Sequence, residues 1–150
     1  MNSKIYDYTL LLFILLLNSC GKNSMLPTSG ISYISFRATL NGAGATPANA
    51  SKATGTASFT YNPTTCVLSR TVVFQGMTPN GAHIHEGAVE VGGVVVFVLA
   101  SGTITSPITF TSPALNAGEQ ADLLANLNYI NLHSLAYPDG EIRGQLIQTP

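Results

Sequence analysis

The chain is 150 residues long, enough for one domain and a tail but not for two domains. Charged residues make up only 9% and the formal net charge is -1, so the electrostatic footprint of a nucleic-acid-binding protein is excluded, and no local Lys/Arg cluster restores it. Hydrophobic residues reach 45%, part of it spent on the first twenty positions, and the remainder is rich in Thr, Ser, Ala, Gly and Val, which suits short strands and turns better than helices.

In chain order, Lys4 gives a weakly basic start and Leu10 to Leu17 form an unbroken apolar run. The run is shorter than the about 20 residues of a membrane span but has the length of a signal-peptide core. Leu17-Asn18-Ser19-Cys20-Gly21 follows and looks like a bacterial lipobox, with Leu at -3, a small residue at -1 and then the cysteine that receives lipid. On this reading residues 1–19 are a lipoprotein signal peptide, Cys20 is the first mature residue, and residues 20–30 are a Ser/Pro/Gly-containing tether that holds the domain near the bilayer. Gly21, rather than an acidic residue, follows the cysteine; in enteric-type sorting that points to the outer membrane. Removing Cys20 leaves Cys66, read as a buried free cysteine rather than a metal ligand.

Residues 31–150 form the predicted domain. Ile31 to Leu40 is the first candidate strand, and the Gly/Ala/Pro-rich stretch from Asn41 to Ala50 is a loop. Thr54 to Tyr61 alternates polar and apolar residues, which predicts a half-buried strand, and Val67 to Phe74 returns after the Asn62-Pro63-Thr64-Thr65 turn. In Gly81-Ala82-His83-Ile84-His85-Glu86-Gly87 the period-2 geometry of a strand puts His83 and His85 on one face and Ile84 on the other. Val94 to Leu99 is continuously apolar and predicts a strand covered on both sides. Ser101 to Thr111 contains Pro107 and reads as an edge strand. Asn116 and Glu119 form a capping-box pattern before Ala121, Leu124 and Ala125, so a helix is expected over Ala117 to Asn126. Two strands end the chain, Asn128 to Ser134 and Glu141 to Gln148, joined by the turn signal Tyr137-Pro138-Asp139-Gly140. No 20-to-50-residue repeat is present. The expected fold is all-β, an antiparallel, Greek-key-like β-sandwich of about eight strands with one short helix.

The candidate site follows from the same alternation. His133 lies opposite in phase to Ile130 and Leu132, and with His83 and His85 it completes a set of three imidazoles suited to copper or zinc. Glu86 points away from His85 by strand alternation and is not counted as a ligand. The alternative is that the histidines are framework, hydrogen-bonded to loop backbone and to each other. Glu141 and Arg143 share a face of the last strand, where they would form a structural ion pair or offer Arg143 to an anion. Sequence signatures of catalysis are lacking: there is no Gly-x-Ser-x-Gly elbow and no phosphate loop, and the adjacency of Ser134, His133 and Asp139 does not by itself make a triad.

Four stretches taken together, Ala82 to Gly87, Ala121 to Leu124, Tyr129 to Ser134 and Pro138 to Gln145, resemble a chordin-type (CHRD) domain from about Phe36 to Ile147. Asn126 departs from the family pattern, which often places Gly before the tyrosine strand. The resemblance implies a β-sandwich; such domains occur in animal chordin, whose growth-factor antagonism is not carried over on fold alone, and in bacterial exported proteins without assigned function, so the expected partner is an envelope protein, a polysaccharide or a metal, with nothing in the sequence to choose among them. A fainter similarity is to Cu/Zn superoxide dismutase, which also uses a His-x-His-Glu strand for copper. Three histidines in the whole chain are too few for the dinuclear site of that family, so dismutase activity is the least favoured reading. The expected function is a lipid-anchored, non-catalytic binding or structural module, with a mononuclear copper- or zinc-binding protein as the alternative.

Overall fold

The computed structural model describes residue 30 and residues 32–150; the expected signal peptide, Cys20 and almost all of the expected tether lie outside the described residues. Among the described residues no helix is long and apolar enough to cross a membrane. The elements are β1 (Ile34–Asn41), a 3-10 turn (Gly42–Gly44), β2 (Thr54–Asn62), β3 (Val67–Gln75), β4 (Gly81–Glu86), β5 (Val95–Ser101), β6 (Ile108–Ala114), α1 (Ala117–Leu124), β7 (Asn128–His133), β8 (Ile142–Gln145) and β9 (Ile147–Thr149).

The all-β, antiparallel architecture is as the alternation predicts. In β2 every second residue from Gly55 to Tyr61 is buried, while Thr54, Thr56, Ser58 and Thr60 face solvent. The strands hydrogen-bond in the order β5-β4-β7-β8-β1-β2-β3-β6, with β9 also on β1, and every pairing is antiparallel. After β3 the chain crosses to begin β4 near the far end of the sheet, and β7 and β8 later fill the space between β4 and β1, a Greek-key-like order. The sheet curls until its end strands approach, with the Phe97 and Phe110 rings 6.2 Å apart. Phe36, Leu40, Phe59, Ile84, Ile130 and Leu132 fill the interior so formed.

Three departures from the sequence expectation have physical causes. The last strand is two, because Leu146 turns fully into the core, its N–H bonding Asn128 O, so that β8 pairs with β7 and β9 with β1. Strand β5 is an edge strand, not one covered on both sides: its strand partner is β4, and Val95 and Val98 are about half exposed at 49% and 55%. An apolar run records only that its side chains are apolar, and tertiary pairing decides how much of it is covered. Cys66 is buried as expected, but it is not a free thiol.

The helix begins as its capping box predicts. Asn116 Oδ1 accepts from the backbone N–H groups of Gly118 and Glu119, and Glu119 Oε2 accepts from Asn116 N at 2.8 Å. It ends at Leu124, two residues earlier than expected, because Asn126 takes a left-handed φ of 58°. This is the position where the family pattern favours Gly, and Asn is the side chain that best tolerates that conformation after a helix. Asn126 Oδ1 also accepts from Gln148 N at 2.7 Å, tying the helix end to β9.

Candidate metal centre

The histidines converge because two strands pair in one register. His85 lies opposite Tyr129, His83 opposite Asn131 and Gly81 opposite His133, so on the outer face of β4 and β7 the three imidazoles meet over Gly81. A Cβ at position 81 would make ordinary contact with the His83 and His133 side chains, at 3.4 and 3.7 Å, so both rings pack over the glycine. One nitrogen from each ring lies within 4.8 Å of the others, and His83 Nδ1 is 3.1 Å from His133 Nε2. Ile84, Ile130 and Leu132, in opposite phase, are buried in the core.

Backbone carbonyls fix two of the tautomers. His85 Nδ1 lies 3.0 Å from Gly93 O and His133 Nδ1 lies 2.8 Å from Pro138 O. A carbonyl only accepts, so each Nδ1 carries the proton and each Nε2 presents a lone pair. His133 Nε2 then accepts from His83 Nδ1–H. His85 Nε2 is buried and has no hydrogen-bond partner among the described residues. Nitrogens bound tetrahedrally at 2.0–2.1 Å stand about 3.3 Å apart, so the widest pair needs to close by about 1.5 Å to hold one ion. His83 would supply its Nδ1 lone pair by shifting the ring proton to Nε2.

The groups that hold these carbonyls are themselves constrained. Gly93 packs so tightly on the Glu86 carbonyl that a Cβ there would collide with it, and its N–H donates to Tyr129 Oη at 3.0 Å. Gly140 has φ 131° and lies where any Cβ would strike the Asn131 side chain, and this turn carries the Pro138 carbonyl. The His85 ring stacks on Tyr129 at 4.9 Å with 7° between the planes. The Arg143 guanidinium lies 3.5 Å from the centre of the same ring.

Burial lowers the basicity of both strand-β4 histidines, and the neighbouring imidazoles lower it further; for His85 the hydrogen bond to Gly93 works in the opposite direction and Arg143 adds to the lowering. The neutral ring is thereby favoured, and it is the form that binds metal. Burial lowers the Arg143 pKa, against a raising contribution from Tyr129.

Glu141 and Arg143, both buried, take separate partners. Glu141 Oε1 accepts from Ser51 Oγ at 2.7 Å, while Arg143 donates from its two terminal nitrogens to Thr46 Oγ1 and, at 2.8 Å, to Ala88 O. Glu86 stands apart from the histidines and lines a cavity under α1. No Ser134–His133–Asp139 relay forms, since His133 Nδ1 is committed to Pro138 O. Tyr129 and Asn131 are site residues that the sequence reading passed over, although their alternation with His133 carries the signal. Gly93 and Pro138 act through their carbonyls and leave no side-chain signature.

Residues 36–146 match the family model of the CHRD domain. The chain belongs to the CHRD domain family. No curated protein and no solved structure gives a significant match to it. The matched span contains β4, α1, β7 and β8, so all three histidines and the turns that orient them lie within the CHRD domain.

Proposed function

We propose that this CHRD protein is a lipid-anchored, non-catalytic binding module of the bacterial cell envelope, and that the ligand of its histidine face is a single copper or zinc ion. The observation that carries the metal reading is His85 Nε2, a buried lone pair without a hydrogen-bond partner among the described residues, beside two more imidazole nitrogens. A buried polar atom left without a partner costs about 1–3 kcal/mol, which a bound ion would offset. The carbonyls of Gly93 and Pro138 supply the outer hydrogen bonds that typically orient metal-binding histidines. Imidazole donors suit copper and zinc, and three of them leave one position open to water or to a partner's side chain. A framework role for the histidines accounts for the His83–His133 contact but leaves His85 Nε2 without a purpose.

Calorimetric titration with Cu(II) and Zn(II) of the protein purified in mild detergent tests this. Submicromolar, one-to-one binding that disappears in the His83→Ala/His85→Ala double variant is expected. Binding that is absent, or equal in the variant, would make the histidines framework.

The anchor rests on Leu17-Asn18-Ser19-Cys20 and the apolar run before it, with the outer membrane as the favoured location from Gly21. Mass spectrometry of the mature N-terminal peptide should show diacylglyceryl on Cys20. A Cys20 sulfur found in a disulfide would rule the anchor out, because thioether and disulfide compete for one sulfur. On its exposed surfaces the module would meet an envelope protein or polysaccharide.

A further inference from the structure

A cavity of about 260 Å³ lies under α1, between that helix and the inner face of the sheet. Ile84 and Glu86 of β4, Phe97 of β5 and Asn128 of β7 border it, and the Phe97–Phe110 contact closes the sheet beside it. Its floor is apolar, for Leu68, Ile84, Leu115, Leu123 and Leu146 all line it and all are buried. The volume falls just short of the about 300–1,000 Å³ of ordinary ligand pockets, so its occupant is small.

Two kinds of polar group interrupt this lining. Asn128 is only 6% exposed, and its Nδ2 donates to His85 O at 3.4 Å. A carbonyl only accepts, which fixes the amide orientation and leaves Oδ1 toward the cavity, with no hydrogen bond among the described residues. Glu86, directly opposite Asn128 in the β4–β7 register, is exposed, and Glu119 and Asp122, one turn apart on α1, are half-buried. These three carboxylates therefore stand where the cavity meets solvent. Glu119 is occupied by the helix cap through one oxygen, whereas no hydrogen bond among the described residues engages the side chains of Glu86 and Asp122. No Lys, Arg or His lines the cavity to balance them. A purely apolar guest would leave Asn128 Oδ1 unmet, and an anionic one would be repelled at the mouth.

We propose that this cavity binds a small primary amine with an unbranched apolar chain. The chain lies against the leucines of the floor, and the ammonium group, a donor of three hydrogen bonds, meets Asn128 Oδ1 and the carboxylates of Glu86 and Asp122. Burial of the chain supplies affinity, and the oxygens at the mouth select an ammonium over a hydroxyl or a carboxylate. The approach of β5 to β6 leaves no strand edge here to seat a peptide, so the amine is assigned as a free molecule rather than a lysine residue. Glu86 alternates with His85 along β4 and faces the other way, so the proposal does not depend on metal at the histidines.

The test uses the full protein in a steroid-based detergent, whose rigid rings are too bulky for the cavity, titrated with hexylamine and followed by NMR. The backbone amide signals of Glu86, Asp122, Leu123 and Asn128 should move together, and that of His133 should not. From propylamine to hexylamine each added methylene should tighten binding about fourfold. Hexanol should bind about fivefold more weakly than hexylamine, and hexanoate should not bind. The Glu86→Gln/Asp122→Asn variant, which alters side chains that hold no hydrogen bond among the described residues, should weaken hexylamine about fivefold and leave hexanol unaffected. Hexanol binding as tightly as hexylamine, or equal hexylamine binding by the variant and the wild type, would overturn the amine assignment. A blocked lysine, Nα-acetyl-lysine methylamide, binding more tightly than hexylamine would overturn the free molecule in favour of a lysine residue. No shift at millimolar hexylamine would overturn the proposal as a whole.

Discussion

His83 and His133 stand 50 residues apart in sequence, and their Nδ1 and Nε2 atoms lie 3.1 Å apart on neighbouring strands. The contact is a hydrogen bond whose donor and acceptor follow from the Pro138 carbonyl behind His133. An ion entering the cluster must break that bond, and the neutral His83 ring offers Nδ1 by passing its proton to Nε2. Only protonated rings compete with the ion, so Zn(II) should bind more weakly at pH 5 than at pH 7.5 in calorimetric titrations. In His133→Ala the tight binding should vanish at both pH values.

The two histidines of β4 also set a direction for pH dependence. Their folded-state pKa values lie below the ordinary value of 6.5. The unfolded chain thus takes up protons before the folded one does as pH falls. The sign is that stability is complete above about pH 6.5 and is lost progressively below it, until the folded pKa values are reached. Urea midpoints measured at pH 7.5 and pH 5.5 should differ, with the lower value at pH 5.5. The His83→Ala/His85→Ala variant should show a smaller difference.

Gly93→Ala tests the carbonyl that orients His85. Its Cβ would strike the Glu86 carbonyl, so the backbone must shift and carry Gly93 O away from His85 Nδ1. A loss of about 1–3 kcal/mol of stability is expected, as for overpacking. Metal affinity should fall along with it, since the His85 tautomer is then free. Thermal denaturation and metal titration of the same variant check both.

Arg143→Lys should not substitute for Arg143. A planar guanidinium stacks on Tyr129 while two of its nitrogens reach Thr46 and Ala88 O, and an ammonium group does not reproduce that geometry. Thr46 and Ala88 are exposed, so water meets their acceptors, and a cost of about 1 kcal/mol is expected from the lost hydrogen bonds and ring contact. Denaturant unfolding of the variant measures it.

Arg70 behaves in the opposite way. It points into the core at 5% exposure, and its three guanidinium nitrogens are buried without hydrogen-bond partners among the described residues. Burial pulls its pKa down to about 9, so the group still carries its charge at neutral pH. Its compensation is the Phe110 ring at 3.3 Å and the Phe59 ring at 5.5 Å. Cation–π contacts return about 0.5–2 kcal/mol, less than the several kcal/mol of desolvation of a buried ion. Arg70→Met should raise the urea midpoint, and a lower midpoint would show that the rings outweigh desolvation.

Much of the framework was legible from local pattern. The alternation of Thr54 to Tyr61 placed β2 and its buried face, and Asn116 with Glu119 placed the helix start, because a two-residue period and a capping box act within a few bonds of one another. The apolar run of β5 misled for the same reason: it describes side chains and not neighbours. The interior position of Arg70 is likewise invisible to a rule that expects charge outside.

For the site, the sequence by itself determined that His83 and His85 share a face, that Ile84 lies beneath them, and that His133 is in phase to face outward on its own strand. Only the tertiary structure decided that His133 stands opposite Gly81, that Gly93 and Pro138 lock two tautomers, and that Glu141 and Arg143 turn to different partners. The physical reason is range. Side-chain direction along a strand is set by backbone geometry over two residues, whereas strand register and the placement of loop carbonyls are set by packing across the whole sheet.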